Sequence, residues 1–313
     1  MRDVFVKTLE KLCQSDSDIF LLTGDLGFKL FDSFREKYPD RFLNMGIAET
    51  NMIGVAAGLS FSGKKVYCYS MIPFLIMRCF EHIRIDVCYH NLDVRLVGVG
   101  GGLVYGLEGV THHAIEDVAI MRSLPNMTVV APGDPYEVSE CINVSVGHKG
   151  PMFIRLGRTG EPQVHRSVPD FKIGKGIVVF NKGNDICLLA SGTMLYKTKI
   201  TSELLLKKGF GVTLVSLHTI KPLDEVLIKD CAKKHRSIFS VEEHSIVGGL
   251  GSAVGEVLSE IRYGGLFKRI GLPNEFSHYV GRTEYLHQKY GLTPQKMANN
   301  IIKLIKGPSN TPL

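Results

Sequence analysis

Gly46-Ile47-Ala48-Glu49-Thr50-Asn51-Met52 places a glutamate where an apolar run, Phe42-Leu43-Asn44-Met45, gives way to a small-residue segment, Ile53-Gly54-Val55-Ala56-Ala57-Gly58-Leu59. A short apolar run followed by a helical pattern reads as a strand–helix junction. The alternation continues outward. Strands are expected at Ile19-Thr23, Phe42-Met45, Val66-Tyr69, Val94-Val99, Thr128-Ala131 and Met152-Leu156, with helices near 3–14, 48–62, 74–90, 114–123 and 135–147 between them. Residues 157–175 lose periodicity around Gly157, Gly160, Pro162 and Pro169. A second series follows, with strands near Ile186-Ala190, Val212-Ser216, Ile238-Val241 and Arg269-Leu272 and helices near 193–208, 223–235, 248–262 and 294–306. The pattern implies an α/β chain of two consecutive open, mainly parallel sheets flanked by helices. The divisions are a first domain over 1–160, a linker over 161–175 and a second domain over 176–313.

The bulk numbers narrow the function classes. A chain of 313 residues with 44% hydrophobic and 22% charged residues is that of an ordinary globular protein with two cores. The net charge of +6 comes from scattered residues without interleaved aromatics, which argues against nucleic-acid binding. The apolar run from Val66 to Met77 stops at Arg78, too short to span a bilayer, and the acidic, helical N-terminus does not read as a signal peptide. The seven cysteines include no Cys-x-x-Cys pair, and Cys68, Cys88 and Cys187 lie in apolar segments. Reduced core thiols in a cytoplasmic protein are expected.

In open parallel sheets, ligands sit beyond the carboxyl ends of the strands. Four loops qualify: Gly24-Asp25-Leu26-Gly27, Met45-Gly46-Ile47-Ala48-Glu49, Ser70-Met71-Ile72-Pro73-Phe74, and Gly100 to His113. An ordered set of fragments runs through them. These are Arg2 with Leu9, Gly24-Asp25-Leu26, Pro39-Asp40-Arg41-Phe42, Gly46-Ile47-Ala48-Glu49, Gly109-Val110-Thr111-His112, Pro125-Asn126-Met127, and Val241-Glu242-Glu243-His244 with Gly248-Gly249-Leu250-Gly251. In this order the fragments resemble the transketolase family of thiamine-diphosphate enzymes, in its pyrimidine-binding and C-terminal domains, over nearly the whole chain.

The resemblance assigns roles. Glu49 would hydrogen-bond N1′ of the aminopyrimidine and favour the imino tautomer that removes the thiazolium proton. That task requires a carboxyl that can share a proton, which burial favours and a helix N-terminus opposes. Phe74 resembles the aromatic that stacks on the pyrimidine. Asp25 and Leu26 resemble strand-end residues that touch the cofactor, although Asp25 also suits a turn. His112 would bond a substrate hydroxyl or the carbanion intermediate. His113 either joins it or caps the next helix. Glu108 stands where transketolases place an aspartate against substrate. Arg2 and Arg158 match arginines that hold the sugar phosphate.

Departures accompany these matches. Lys29 stands where a serine is expected, and Gly100 where a further substrate histidine is expected, so a modified, nucleotide-linked or unphosphorylated ketose is also open. Gly249-Leu250-Gly251-Ser252-Ala253-Val254-Gly255 misses the dinucleotide fingerprint by one residue; helix–strand packing and dimer contact are expected there instead. Gly54, Ala57 and Gly58 suggest close approach of another element or subunit.

The family's diphosphate and Mg²⁺ motif, Gly-Asp-Gly followed by asparagine, does not occur, and no metal ligand is assigned to this chain. The resemblance therefore implies one half of a split transketolase. An N-terminal subunit would hold the diphosphate and most of the Mg²⁺ shell, in an α2β2 assembly acting on sugars or sugar phosphates. Two other enzymes are weighed: a 2-oxo acid decarboxylating β-type subunit and a 1-deoxyxylulose-5-phosphate synthase-like protein. A non-catalytic subunit of the same fold is the remaining alternative.

Overall fold

The computed structural model describes residues 1–158 and 160–306. Its strands, in chain order, are β1 (Ile19–Thr23), β2 (Phe42–Asn44), β3 (Lys65–Met71), β4 (Val94–Val99), β5 (Thr128–Val130), β6 (Met152–Leu156), β7 (Ile177–Lys182), β8 (Ile186–Ala190), β9 (Val212–Ser216), β10 (Thr219–Lys221), β11 (Ser237–Ser245) and β12 (Leu266–Leu272). One sheet has the order β10-β5-β6-β4-β3-β1-β2, parallel except for β10. The other has the order β12-β11-β8-β9-β7, parallel except for β7. Every residue of β4, β6, β8, β9 and β11 is buried. Helices on both faces of a parallel sheet leave its inner strands no wet side, and this explains their near-continuous apolar runs.

The expected strands of both series, and every expected helix except the one over 74–90, are present, with ends displaced by a few residues. β7 and β10 lie outside the sequence expectation; both are antiparallel edge strands. β10 follows β9 after two residues and crosses to pair with β5, so the C-terminal half of the chain closes one edge of the first sheet. Two short helices, Asp32–Lys37 and Thr283–Tyr290, are further additions.

The helix expected over 74–90 is corrected. It is broken into two wide, π-type stretches, Pro73–Met77 and Ile83–Tyr89, around a single α turn at Phe80–His82. The Arg78 amide reaches back five residues to the Pro73 carbonyl at 3.4 Å. Such turns change which side chains share a face, and they recur at functional sites.

The helix Glu49–Phe61 packs on β3 through Met52, Ile53 and Ala56, all fully buried. Burying a side chain such as Met52 contributes roughly 1.5–3 kcal/mol. Ala57 also faces this core, whereas a methyl group at Gly54 or Gly58 would meet nothing, so that glycine edge is open. All seven cysteines are buried free thiols. Among the described residues, no helix is long and apolar enough to cross a membrane.

Candidate functional site

The loops after β1 and β2 are joined by one side chain. Asn44 accepts from the backbone N–H groups of Asp25, at 3.0 Å, and Gly46, at 3.1 Å, and donates to the Asp25 carboxylate at 3.0 Å. The turn at Gly46 has φ +67° and delivers the chain into the helix Glu49–Phe61. Glu49 is 2% exposed. Its carboxylate accepts from Ser70 Oγ at 3.3 Å and from the Arg78 guanidinium at 2.8 Å. Gly24 lies so close that a Cβ there would sit 3.2 Å from Glu49 Cγ. Burial and the Glu49 charge push the neighbouring Cys79 thiol up to about 12.

A continuous line of rings and guanidinium groups leads from Glu49 to the chain start. The Arg78 guanidinium lies 4.9 Å from the Phe74 ring centroid. Phe74 meets the His112 ring edge-on at 5.2 Å, and His112 meets Tyr105 at 6.2 Å. The Arg158 guanidinium lies 5.5 Å from the Tyr105 centroid, and the Arg158 carbonyl accepts from the Arg2 amide at 3.3 Å. His112 Nδ1 is 2.9 Å from Thr111 Oγ1, whose hydroxyl also reaches the Glu108 carbonyl at 3.3 Å. With Nδ1 engaged, Nε2 is the nitrogen left to meet a ligand. Near Arg2, two buried polar atoms, Arg2 Nε and the Tyr69 hydroxyl, lack a hydrogen-bond partner among the described residues.

The structure thus brings Glu49, Phe74, His112, Arg158 and Arg2 into one run. Asp25 and Leu26 adjoin it through Gly24, on the edge of a cavity of about 280 Å³ that also takes in Phe28 and Phe31. Lys29 is exposed with φ +63°, and Glu108 is exposed on the loop before His112. His113 is buried, and neither ring nitrogen has a hydrogen-bond partner among the described residues. Burial pushes its imidazole below the usual range, so it is neutral at pH 7. It does not cap the following helix: Glu116 occupies that position. At Gly100, φ is +90°, and a Cβ would lie only 2.2 Å from the Cδ2–Cε2 edge of the Tyr105 ring.

Sequence reasoning missed Asn44, Arg78 and Tyr105. The only signal for Arg78 was its abrupt end to an apolar run, and none marked the other two.

Behind the site, β11 supplies two adjacent carboxylates with opposite behaviour. Glu242 accepts from the Leu250 and Gly251 amides at 2.7 and 2.8 Å, yet burial raises its carboxyl to about 7. Burial would also raise Glu243, but the charge and hydrogen bond of His287, at 2.8 Å, override it with help from the Leu103 amide and Thr193 hydroxyl. Glu243 is held down at about 2. Arg155 on β6 pairs with buried Asp117 at 2.7 Å and donates to the Ala114 and Glu243 carbonyls at 3.0 and 2.9 Å. The rim of the first sheet is thereby pinned to the second. Gly249, Gly251 and the Glu242 carboxylate form a tight helix–strand contact, as expected for that glycine-rich stretch. Elsewhere, the donor atoms of Cys187, Cys231 and His235 lie within 4.8 Å of one another. There, both His235 nitrogens already contact protein oxygens, of Cys231 at 2.9 Å and Thr213 at 3.0 Å.

Comparison with known proteins places this geometry in a family. Residues 1–162 match the transketolase pyrimidine-binding domain and residues 174–297 the transketolase C-terminal domain. A 6-deoxy-6-sulfo-D-fructose transketolase subunit of Clostridium sp. is 35% identical over 298 residues, covering 95% of this chain and 92% of its own. An apulose-4-phosphate transketolase subunit of Phocaeicola vulgatus is 32% identical over 307 residues, covering 97% of both chains. A solved split-gene transketolase, described as an inactive beta4 tetramer, superposes with a TM-score of 0.90 at 36% identity, covering 97% of this chain and 98% of its own. The chain belongs to the transketolase family, among the split-gene subunits that pair a pyrimidine-binding domain with a C-terminal domain.

Proposed function

We propose that this chain is the C-terminal subunit of a heteromeric, thiamine-diphosphate-dependent transketolase that moves a two-carbon ketol unit from a ketose to an aldose. One observation carries the reading: buried Glu49 holds a flat, N–H-bearing cation, the Arg78 guanidinium, beside the face of Phe74. A guanidinium and an N1′-protonated aminopyrimidine share planarity, positive charge and an N–H aimed at a carboxylate, so the pair Glu49 and Phe74 fits the pyrimidine end of the cofactor. When bound, thiamine diphosphate supplies a nucleophilic carbon and an electron sink for the ketol carbanion.

This chain's residues would then divide the work. Glu49 holds a proton at the ring nitrogen, helped by Ser70. Phe74 orients the ring by stacking. Asp25 and Leu26 line the strand-end loop next to Gly24, which lets Glu49 approach. His112 offers Nε2 to a substrate hydroxyl, with Thr111 fixing its other nitrogen. His113, neutral and buried, backs the same loop.

Arg2 and Arg158, with Lys29 and Glu108 on the rim, face the far end of the substrate. Two arginines suit an anionic tail. That reading agrees with relatives whose names specify a phosphate and a sulfonate sugar. The diphosphate and Mg²⁺ would be held mainly by a partner N-terminal subunit, in an assembly of the α2β2 kind. The exposed side chains of Phe28, Ile47, Leu107 and Val110 around the site suit such a partner.

The test is direct. Glu49→Ala, mixed with the diphosphate-binding partner, should assemble normally and lose nearly all ketol transfer. Near-normal turnover would overturn the assignment, and carbon dioxide release from pyruvate in place of ketol transfer would overturn the reaction class.

A further inference from the structure

Tyr105 is 6% exposed and stands between two functional ends of the site. On one side its ring meets His112 at 6.2 Å, and on the other it carries the Arg158 guanidinium at 5.5 Å. It fills the space above Gly100, whose left-handed φ of +90° and lack of a side chain admit the ring. Arg158 itself is exposed, at the rim. A guanidinium lying against an aromatic face is held flat by the ring quadrupole, while its N–H donors stay in its own plane and available to an anion. The phenol is uncharged at neutral pH, as an ordinary tyrosine is, and burial pushes it further from ionisation.

We propose that Tyr105 is a positioning residue that sets sugar specificity: its ring is the platform that aims the Arg158 guanidinium at the anionic tail of a ketose whose reacting end lies at His112. The inference rests on the ketol-transfer reading above and deepens it. It also gives the Gly100 substitution a physical sense. A ring from the same loop has taken that volume, so the tail subsite is walled by an aromatic face instead of a second polar side chain. Tail recognition then depends on an arginine held over that ring, whose planar fork suits tetrahedral anions such as phosphate or sulfonate.

The experiment uses the complex assembled with the diphosphate-binding partner and two donors, D-xylulose 5-phosphate and D-xylulose, with one acceptor. The readout is the ratio of their kcat/KM values. Wild type should favour the phosphorylated ketose. Tyr105→Leu should lower that ratio at least tenfold, mainly through KM for the phosphorylated sugar, whereas Tyr105→Phe, which keeps the face, should hold it within about threefold. In an Arg158→Ala background, Tyr105→Leu should have no further effect on the ratio.

A Tyr105→Leu ratio within twofold of wild type, or a loss in Tyr105→Phe as large as in Tyr105→Leu, would overturn the proposal. Should Tyr105→Leu fail to assemble, Arg158→Ala at the surface tests the same subsite, and an unchanged ratio there overturns it. A wild-type complex that releases carbon dioxide from pyruvate and transfers no ketol unit overturns the functional reading and this inference together. An active complex with an unmoved ratio overturns this inference alone.

Discussion

Arg78 donates to the Glu49 carboxylate at 2.8 Å while its guanidinium lies 4.9 Å from the centre of the Phe74 ring. Only Glu49 of the ion pair is buried; the Arg78 side chain is 47% exposed. Loss of the carboxylate therefore leaves a cation that can turn to water. Glu49→Gln should cost less than about 1 kcal/mol of stability in the isolated chain. The same change should reduce turnover of the assembled enzyme by about 10²–10⁴-fold, because an amide cannot share the proton. Urea unfolding and steady-state kinetics on one preparation check both halves. A large stability loss would mean that Glu49 serves the fold.

His112 touches Phe74 and Tyr105 by ring edges and has Nδ1 occupied by Thr111. His112→Ala should lower kcat about 10²–10³-fold in the complex, with cofactor affinity unchanged. Cofactor titration beside turnover measurement decides. A parallel fall in cofactor affinity would assign His112 to the packing of Phe74.

Glu242 and Glu243 should give opposite pH responses. Glu243 is lowered from an ordinary 4.5 to about 2, so its contribution is complete above pH 4.5 and is lost as pH falls toward 2. Glu242 is raised from 4.5 to about 7, so the native state binds its proton more tightly than the unfolded chain. Its contribution is present below pH 4.5 and is lost as pH rises through 7. Wild type should therefore lose stability between pH 5 and pH 7.5 relative to Glu242→Gln. Denaturant midpoints of both proteins at the two pH values measure this, and equal differences would reject it.

Arg155→Leu should destabilise the chain by about 3–5 kcal/mol, since it strands the Asp117 carboxylate in the interior. Asp117 is fully buried, and Arg155 also bonds the Ala114 and Glu243 carbonyls. Chemical denaturation should show the loss. The double change Arg155→Leu with Asp117→Asn should recover part of it, and no recovery would place the cost in the two carbonyls.

Much of the fold can be read along the chain because burial leaves a local trace. Val94-Arg95-Leu96-Val97-Gly98-Val99 reads as an inner strand, and every one of its residues is buried. Ile177–Lys182 and Thr219–Lys221 escape such a reading because each is an antiparallel edge strand. Their patterns are short or mixed, and pairing with β9 or β5 makes them strands. The break in the helix after Pro73 is also hidden, since a wide turn depends on what packs against it.

The candidate site divides in the same way. The strand–helix junction that presents Glu49, and the loop that presents His112, are local features, and the order of motifs along the chain is enough to identify the family. Arg78, Tyr105 and Asn44 act only by contact across loops: a guanidinium reaching 29 residues back in sequence, a ring packed against Gly100, and an amide reaching 19 residues back to staple the turn at Asp25 to its own. The sequence by itself determined the two α/β layers, the family and the loops that form the rim. Tertiary structure alone decided which side chains meet there, because distance, burial and the volume left by a missing Cβ are properties of the packed chain and have no period along it.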